Sequence, residues 1–182
     1  MGTKMKSLAV LVIDVQQGLC VGEGKPHDCE GTIARINQVT EKARAANVPV
    51  IFIQHESASG YLEYASVDWQ LADGLIVKDT DLKVRKTTPD SFLRTDLEAL
   101  LKARGVEQLV ICGMHTEFCV DTTTRRALAL GYPVVLVSDG HTSAGNEAIS
   151  APQVIAHHNA ALSNISSFGP RVVPTLAQDI QF

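Results

Sequence analysis

The chain is poor in the features that would tie it to nucleic acid, to a bilayer or to the cell exterior. It carries no block of Lys or Arg, its formal net charge is −4 and its pI lies near 5.8, so polyanion binding is a poor reading and no nucleic-acid partner is expected. No apolar run approaches the roughly 20 residues that span a membrane, so no membrane partner is expected either. Cysteine is confined to Cys20, Cys29, Cys112 and Cys119, with no CxxC spacing and no secretory pattern at the start of the sequence. These are expected to be reduced thiols in a cytoplasmic protein. No repeat, low-complexity tract or linker divides the 182 residues, which predicts one domain over 1–182 with residues 1–6 peripheral.

What the chain has is an alternation of apolar runs and helical patterns. Leu8–Ile13 is continuously apolar and ends in Asp14, as suits a strand covered on both faces. A Gly-rich loop follows, then a helix over 32–46 with Ile33, Ile36, Val39 and Ala43 on one side, and a second strand over Val50–Ile53 ending at Gln54-His55. The stretch 56–83 reads as irregular, and Tyr61, Tyr64 and Trp69 within it suggest a pocket wall. A helix over 96–103, a strand over 109–112, a helix over 119–130, a strand over 134–137, a helix over 151–164 and a short strand at Val172-Val173 complete the pattern. The expected fold is a three-layer α/β/α sandwich with a mostly parallel, Rossmann-like central sheet. Ligands of such sheets bind beyond the carboxyl ends of the strands, where Asp14, His55, Cys119 and Asp139 are expected to share one rim.

Cys119 is the candidate nucleophile, because a thiol at a helix start meets free backbone N–H groups and the positive end of the helix dipole. Both favour the thiolate, and the same N–H groups can hold an oxyanion when sulfur attacks a carbonyl. Taken alone, a cysteine is more often a small buried hydrophobe. Asp14 supplies a carboxylate to take and return the thiol proton. Lys86 lies before a Thr87–Phe92 turn and supplies a cation that would lower the thiol pKa further.

Three motifs in the same order carry a resemblance: Asp14-x-Gln16, then Lys86 leading to Ser91-Phe92, then Gly113-x-x-Thr116-x-x-Cys119-Val120-x-x-Thr123-x-Arg125. The sequence resembles the isochorismatase-like cysteine hydrolases, a group that includes nicotinamidases, N-carbamoylsarcosine amidohydrolases and ureidoacrylate or biuret hydrolases. The resemblance implies an Asp14-Lys86-Cys119 triad. It also implies a cis peptide joining Met114 to His115, which would aim the His115 and Cys119 N–H groups at one oxyanion. Homodimers or homotetramers are implied as well. Where nicotinamidases have a metal-binding Asp-x-His followed by further histidines, this chain has Gln54-His55-Glu56 and none, so no metal and no cofactor are expected.

His55 is therefore assigned to the pocket wall, with Gln16, Tyr61, Tyr64, Trp69, Phe92 and Phe118 as further candidates around a small-molecule substrate. His157-His158 point about 100° apart on a helix and are read as structural. The Gly22-x-Gly24 loop lacks the remaining residues of a phosphate cradle. The expected activity is hydrolysis of a C–N bond in an amide, ureide or carbamoyl compound through a thioester. The alternatives are vinyl-ether hydrolysis of the isochorismatase type and a catalytically silent binding protein on the same fold.

Overall fold

Unbroken apolar runs become strands buried on both sides. The computed structural model describes residues 7–182. The expectation that residues 1–6 are peripheral lies outside the described residues. In chain order the elements are β1 (Leu8–Ile13), α1 (Gln17–Cys20), α2 (Cys29–Ala45), β2 (Val50–His55), β3 (Leu82–Lys86), α3 (Leu97–Ala103), β4 (Gln108–Met114), α4 (Asp121–Ala129), β5 (Val134–Thr142), α5 (Ala151–Ser163) and β6 (Val172–Thr175). The strands form one sheet in the order β3-β2-β1-β4-β5-β6, and every pairing is parallel.

Alternation along β1 divides the core into two layers. Ala9, Leu11 and Ile13 pack with Leu97 and Leu101 of α3, Ala127 and Leu128 of α4 and Leu162 of α5. Val10 and Val12 face the other way, onto Ile33, Ile36, Val39 and Ala43 of α2. The result is the α/β/α sandwich expected from the sequence, as one domain. Among the described residues no helix is long and apolar enough to cross a membrane.

The strand order reverses between β1 and β4, and the crevice beyond their carboxyl ends is where such sheets hold ligands. The two strands approach closely there. Gly113 pairs with Ile13 at φ 124°, and a Cβ on it would lie 2.1 Å from the Ile13 carbonyl oxygen, so no side chain fits.

Several elements differ from the sequence reading. The segment read as a Gly-rich loop contains the single turn α1. The stretch read as irregular ends in β3, an edge strand whose Val84 and Lys86 are buried while Lys83 and Arg85 are exposed. The helix expected from Cys119 is a wide π-type turn over Thr116–Val120, followed by α4. β5 is longer than expected, because its register against β4 shifts between Ile111 and Gly113. Asp139 falls within β5 instead of on the active rim. Its carboxylate accepts the Ala177 N–H at 2.8 Å and lies 3.9 Å from Arg35, anchoring the C-terminal segment.

Candidate active site

Each reactive side chain sits where a strand stops. Asp14 follows β1 in the left-handed region, φ 52°, which short polar side chains tolerate, and its N–H donates to Ile53 O at 2.9 Å. His55 and Lys86 end β2 and β3 and are register partners, so adjacent strands deliver them side by side. Cys119 lies in the wide turn after β4, behind a cis Met114–His115 peptide.

Lys86 is the hub. Its Nζ stands 2.6 Å from Asp14 Oδ2, 3.1 Å from His55 Nδ1, 3.1 Å from the Thr88 carbonyl and 3.3 Å from Cys119 Sγ. Lys86 and Asp14 are almost wholly buried, so the ion pair is shielded from water. An ammonium has no lone pair, so His55 Nδ1 must accept, and the ring proton of a neutral His55 is carried on Nε2. Burial and the Lys86 charge both hold the His55 pKa below its ordinary value, in keeping with that neutral form.

The carboxylate, imidazole and thiol also lie within 4.8 Å of one another, a spacing a metal ion could use. The same atoms already converge on the Lys86 ammonium, and a metal would compete with it for those lone pairs. The geometry therefore fits a buried ammonium better than a metal.

Burial pushes the Cys119 thiol up to about 12, and the Asp14 charge adds to the rise while Lys86 opposes it. This corrects the expectation of a preformed thiolate. Desolvation of the sulfur outweighs the nearby cation, so the resting group is the thiol. Asp14 Oδ1 makes no hydrogen bond, which leaves a carboxylate oxygen available for the thiol proton.

Motif residues away from the reacting atoms act as supports. Thr123 of α4 accepts from Ser91 N at 3.1 Å and lies 2.8 Å from Ser91 Oγ and 3.3 Å from the Pro89 carbonyl, which fixes the turn after Lys86 against α4. Thr116 bonds to His141 Nδ1 at 2.8 Å, and His141 Nε2 bonds to Asn159 on α5 at 3.0 Å. Arg125 pairs with Asp121 one turn earlier on α4. His157 and His158 pack edge to face, with His158 bonded to the Val154 carbonyl at 2.8 Å.

A cavity of about 310 Å³ opens over the cysteine, lined by Asp14, Leu19, His55, Leu62, Met114, His115, Phe118 and Cys119. His55 and Phe118 were expected there. Five other expected residues lie elsewhere. Gln16 is fully buried and bonds to the backbone of His55 and Trp69. Tyr61 is exposed and donates to the Gly18 carbonyl at 2.8 Å. Tyr64 packs edge-on against Trp69 and under the Arg85 guanidinium, 4.0 Å from its ring centre. Trp69 is half-buried, with its ring centre 5.0 Å from that of Tyr64. Phe92 is buried in the core, stacked on Tyr132 at 6.3 Å. The aromatic loop satisfies its own ring contacts, so it reaches the cavity through the buried Leu62 instead. Sequence reasoning missed Leu19, Leu62 and Met114. Only Met114 left a signal, since it continues the alternating face of Val110 and Cys112 on β4.

At the switch point of this α/β sandwich a buried carboxylate and ammonium meet a half-buried thiol beside a cavity, the layout of a small-molecule site. The isochorismatase domain profile matches residues 8–175, nearly the whole chain, and the protein belongs to the isochorismatase family. It is 35% identical over 136 residues to streptothricin hydrolase from Streptomyces noursei, covering 74% of this chain and 49% of that one, so it spans about half that relative's length. It is 29% identical over 196 residues to ureidoacrylate amidohydrolase RutB from Methylobacterium radiotolerans, covering 87% of this chain and 73% of that protein. A crystal structure described as an isochorismatase family protein superposes with a TM-score of 0.84 at 34% identity, covering 93% of this chain and 99% of the other.

Proposed function

We propose that the protein is a metal-independent cysteine hydrolase that cleaves a C–N bond of a small amide, ureide or carbamoyl compound. The observation that carries this reading is the convergence of Asp14, His55 and Cys119 on one buried ammonium, beneath a cavity open to a substrate. The names of the amidohydrolase and hydrolase relatives agree with it.

In the proposed reaction Asp14 takes the Cys119 proton as sulfur bonds to the carbonyl carbon, and the C=O electron pair moves onto oxygen. The His115 and Cys119 amides are assigned to that oxyanion. Collapse restores C=O, breaks the C–N bond and expels the amine, which takes its proton from Asp14. The same carboxylate then deprotonates a water that attacks the thioester, and the departing sulfur recovers a proton as the acid leaves. Lys86 holds Asp14 and Cys119 in one geometry throughout. Because the resting thiol is neutral, proton transfer to Asp14 accompanies attack instead of preceding it.

The test is trapping. Incubation with a panel of amides and ureides followed by rapid acid quench is expected to leave an acyl mass on the peptide holding Cys119, and Cys119→Ala is expected to remain folded and inactive. Turnover by the alanine variant at the wild-type rate would overturn the assignment.

A further inference from the structure

Four of the eight residues around the cavity are Leu19, Leu62, Met114 and Phe118, and among the described residues none lining it is Lys or Arg. Lys86 is the nearest cation, but its three N–H bonds are already shared among Asp14, His55, Thr88 and Cys119, and its side chain is fully buried beneath them. Asp14 lines the same space, but its charge is already balanced by Lys86 at 2.6 Å, so the pair has no positive charge to spare for a ligand. A ligand carboxylate entering here would lose its water and meet apolar walls, with no free cation to pair with.

His55 is the polar exception. With Nδ1 committed to the ammonium, the imidazole offers the cavity one N–H, from Nε2, which bonds a neutral acceptor but carries no charge to offset an anion. His115 also lines the space, but its Nε2 is buried away from the opening and makes no hydrogen bond, so it offers a ligand nothing there. The volume, about 310 Å³, stands at the lower end of the roughly 300–1,000 Å³ of ligand pockets.

Resting on the hydrolase reading above, we propose that the site selects uncharged substrates with a compact apolar acyl group, oriented by the His55 Nε2–H, and discriminates against carboxylate-bearing ones.

Iodoacetamide and iodoacetate test this without requiring turnover. Both form an S–C bond at Cys119 and release iodide, with the thiol proton passing to Asp14 or solvent; they differ in carrying a neutral amide or a carboxylate. The ratio of their second-order rate constants at Cys119, followed by peptide mass spectrometry, is compared with the same ratio for free cysteine. The expected result is a preference for iodoacetamide exceeding that of free cysteine by about tenfold or more. A ratio equal to or below that of free cysteine would overturn the proposal.

A second arm places a cation at the exposed mouth. Phe118→Arg is expected to shift the ratio toward iodoacetate by about tenfold, and an unchanged ratio in the folded variant counts against charge selection. His55→Leu is expected to raise KM for a neutral amide substrate, with recovery in His55→Gln, which keeps an N–H donor; equal KM values in both variants would remove the orienting role from His55. The hydrolase reading fails separately, by turnover in Cys119→Ala.

Discussion

Gln16 forms a two-way hydrogen bond with the backbone of His55: its Oε1 accepts the His55 N–H at 2.8 Å, and its Nε2 donates to the His55 carbonyl at 2.9 Å. The side chain thus carries hydrogen bonding to β2 as far as its last residue, His55, from a position three residues past the end of β1. Its Nε2 also donates to the Trp69 carbonyl at 2.9 Å, tying the long aromatic loop to the same point. Gln16→Ala would strand several polar groups and is expected to destabilise the fold by about 1–3 kcal/mol. It should also lower kcat/KM, because His55 loses its fixed position. Urea unfolding and steady-state kinetics check the two effects.

The Asp14–Lys86 pair predicts strong coupling. Asp14→Asn or Lys86→Met alone leaves one buried charge uncompensated and is expected to cost about 3–5 kcal/mol, whereas the double variant should cost clearly less than the sum. All three should be inactive. A double-mutant cycle by denaturant unfolding measures the coupling, and additive losses would argue against a shielded pair.

Gly113→Ala puts a methyl group 2.1 Å from the Ile13 carbonyl oxygen at a φ of 124°. A destabilisation of about 3 kcal/mol or more is expected, since both the contact and the backbone conformation oppose any side chain. Gly24→Ala, where a Cβ meets nothing within 4 Å, is the control and should be nearly neutral in a thermal melt.

Burial holds His55, His115 and His141 below the ordinary histidine value of 6.5. A depressed folded-state pKa means the unfolded chain binds protons first as pH falls. The stabilisation is therefore complete above about 6.5 and is lost as pH drops through the folded values. Urea midpoints are expected to decline between about pH 7 and pH 5. Activity should hold down to about pH 6.5 and decline only below it, as pH falls through the depressed His55 value, because a protonated His55 no longer accepts from Lys86. For Cys119 the shift runs the other way. With the thiol pushed up to about 12, its alkylation rate should keep rising above about pH 10, where an ordinary thiol has levelled off. A plateau near the ordinary thiol value would contradict the dominance of desolvation.

The supporting positions show how far a linear reading reaches. Ser91, Thr116 and Thr123 stand out in the sequence only as members of motifs. In the folded chain their hydroxyls hold the turn after Lys86 and the turn before Cys119. β3 was legible in the Leu82, Val84, Lys86 alternation, yet the charges between those positions hide a five-residue edge strand. Asp139 looked equivalent to Asp14 because both follow apolar runs. A register shift against β4 carries it into β5 and toward Arg35 and Ala177.

The sequence by itself determined the layered fold and the order of its chemistry-bearing motifs, because apolar periodicity and strand-terminal residues are local properties of the chain. Only the tertiary structure decided the protonation of the thiol and the lining of the cavity. Desolvation depends on everything packed around a group, and an aromatic loop that pairs its rings with one another leaves an aliphatic neighbour, Leu62, to face the substrate.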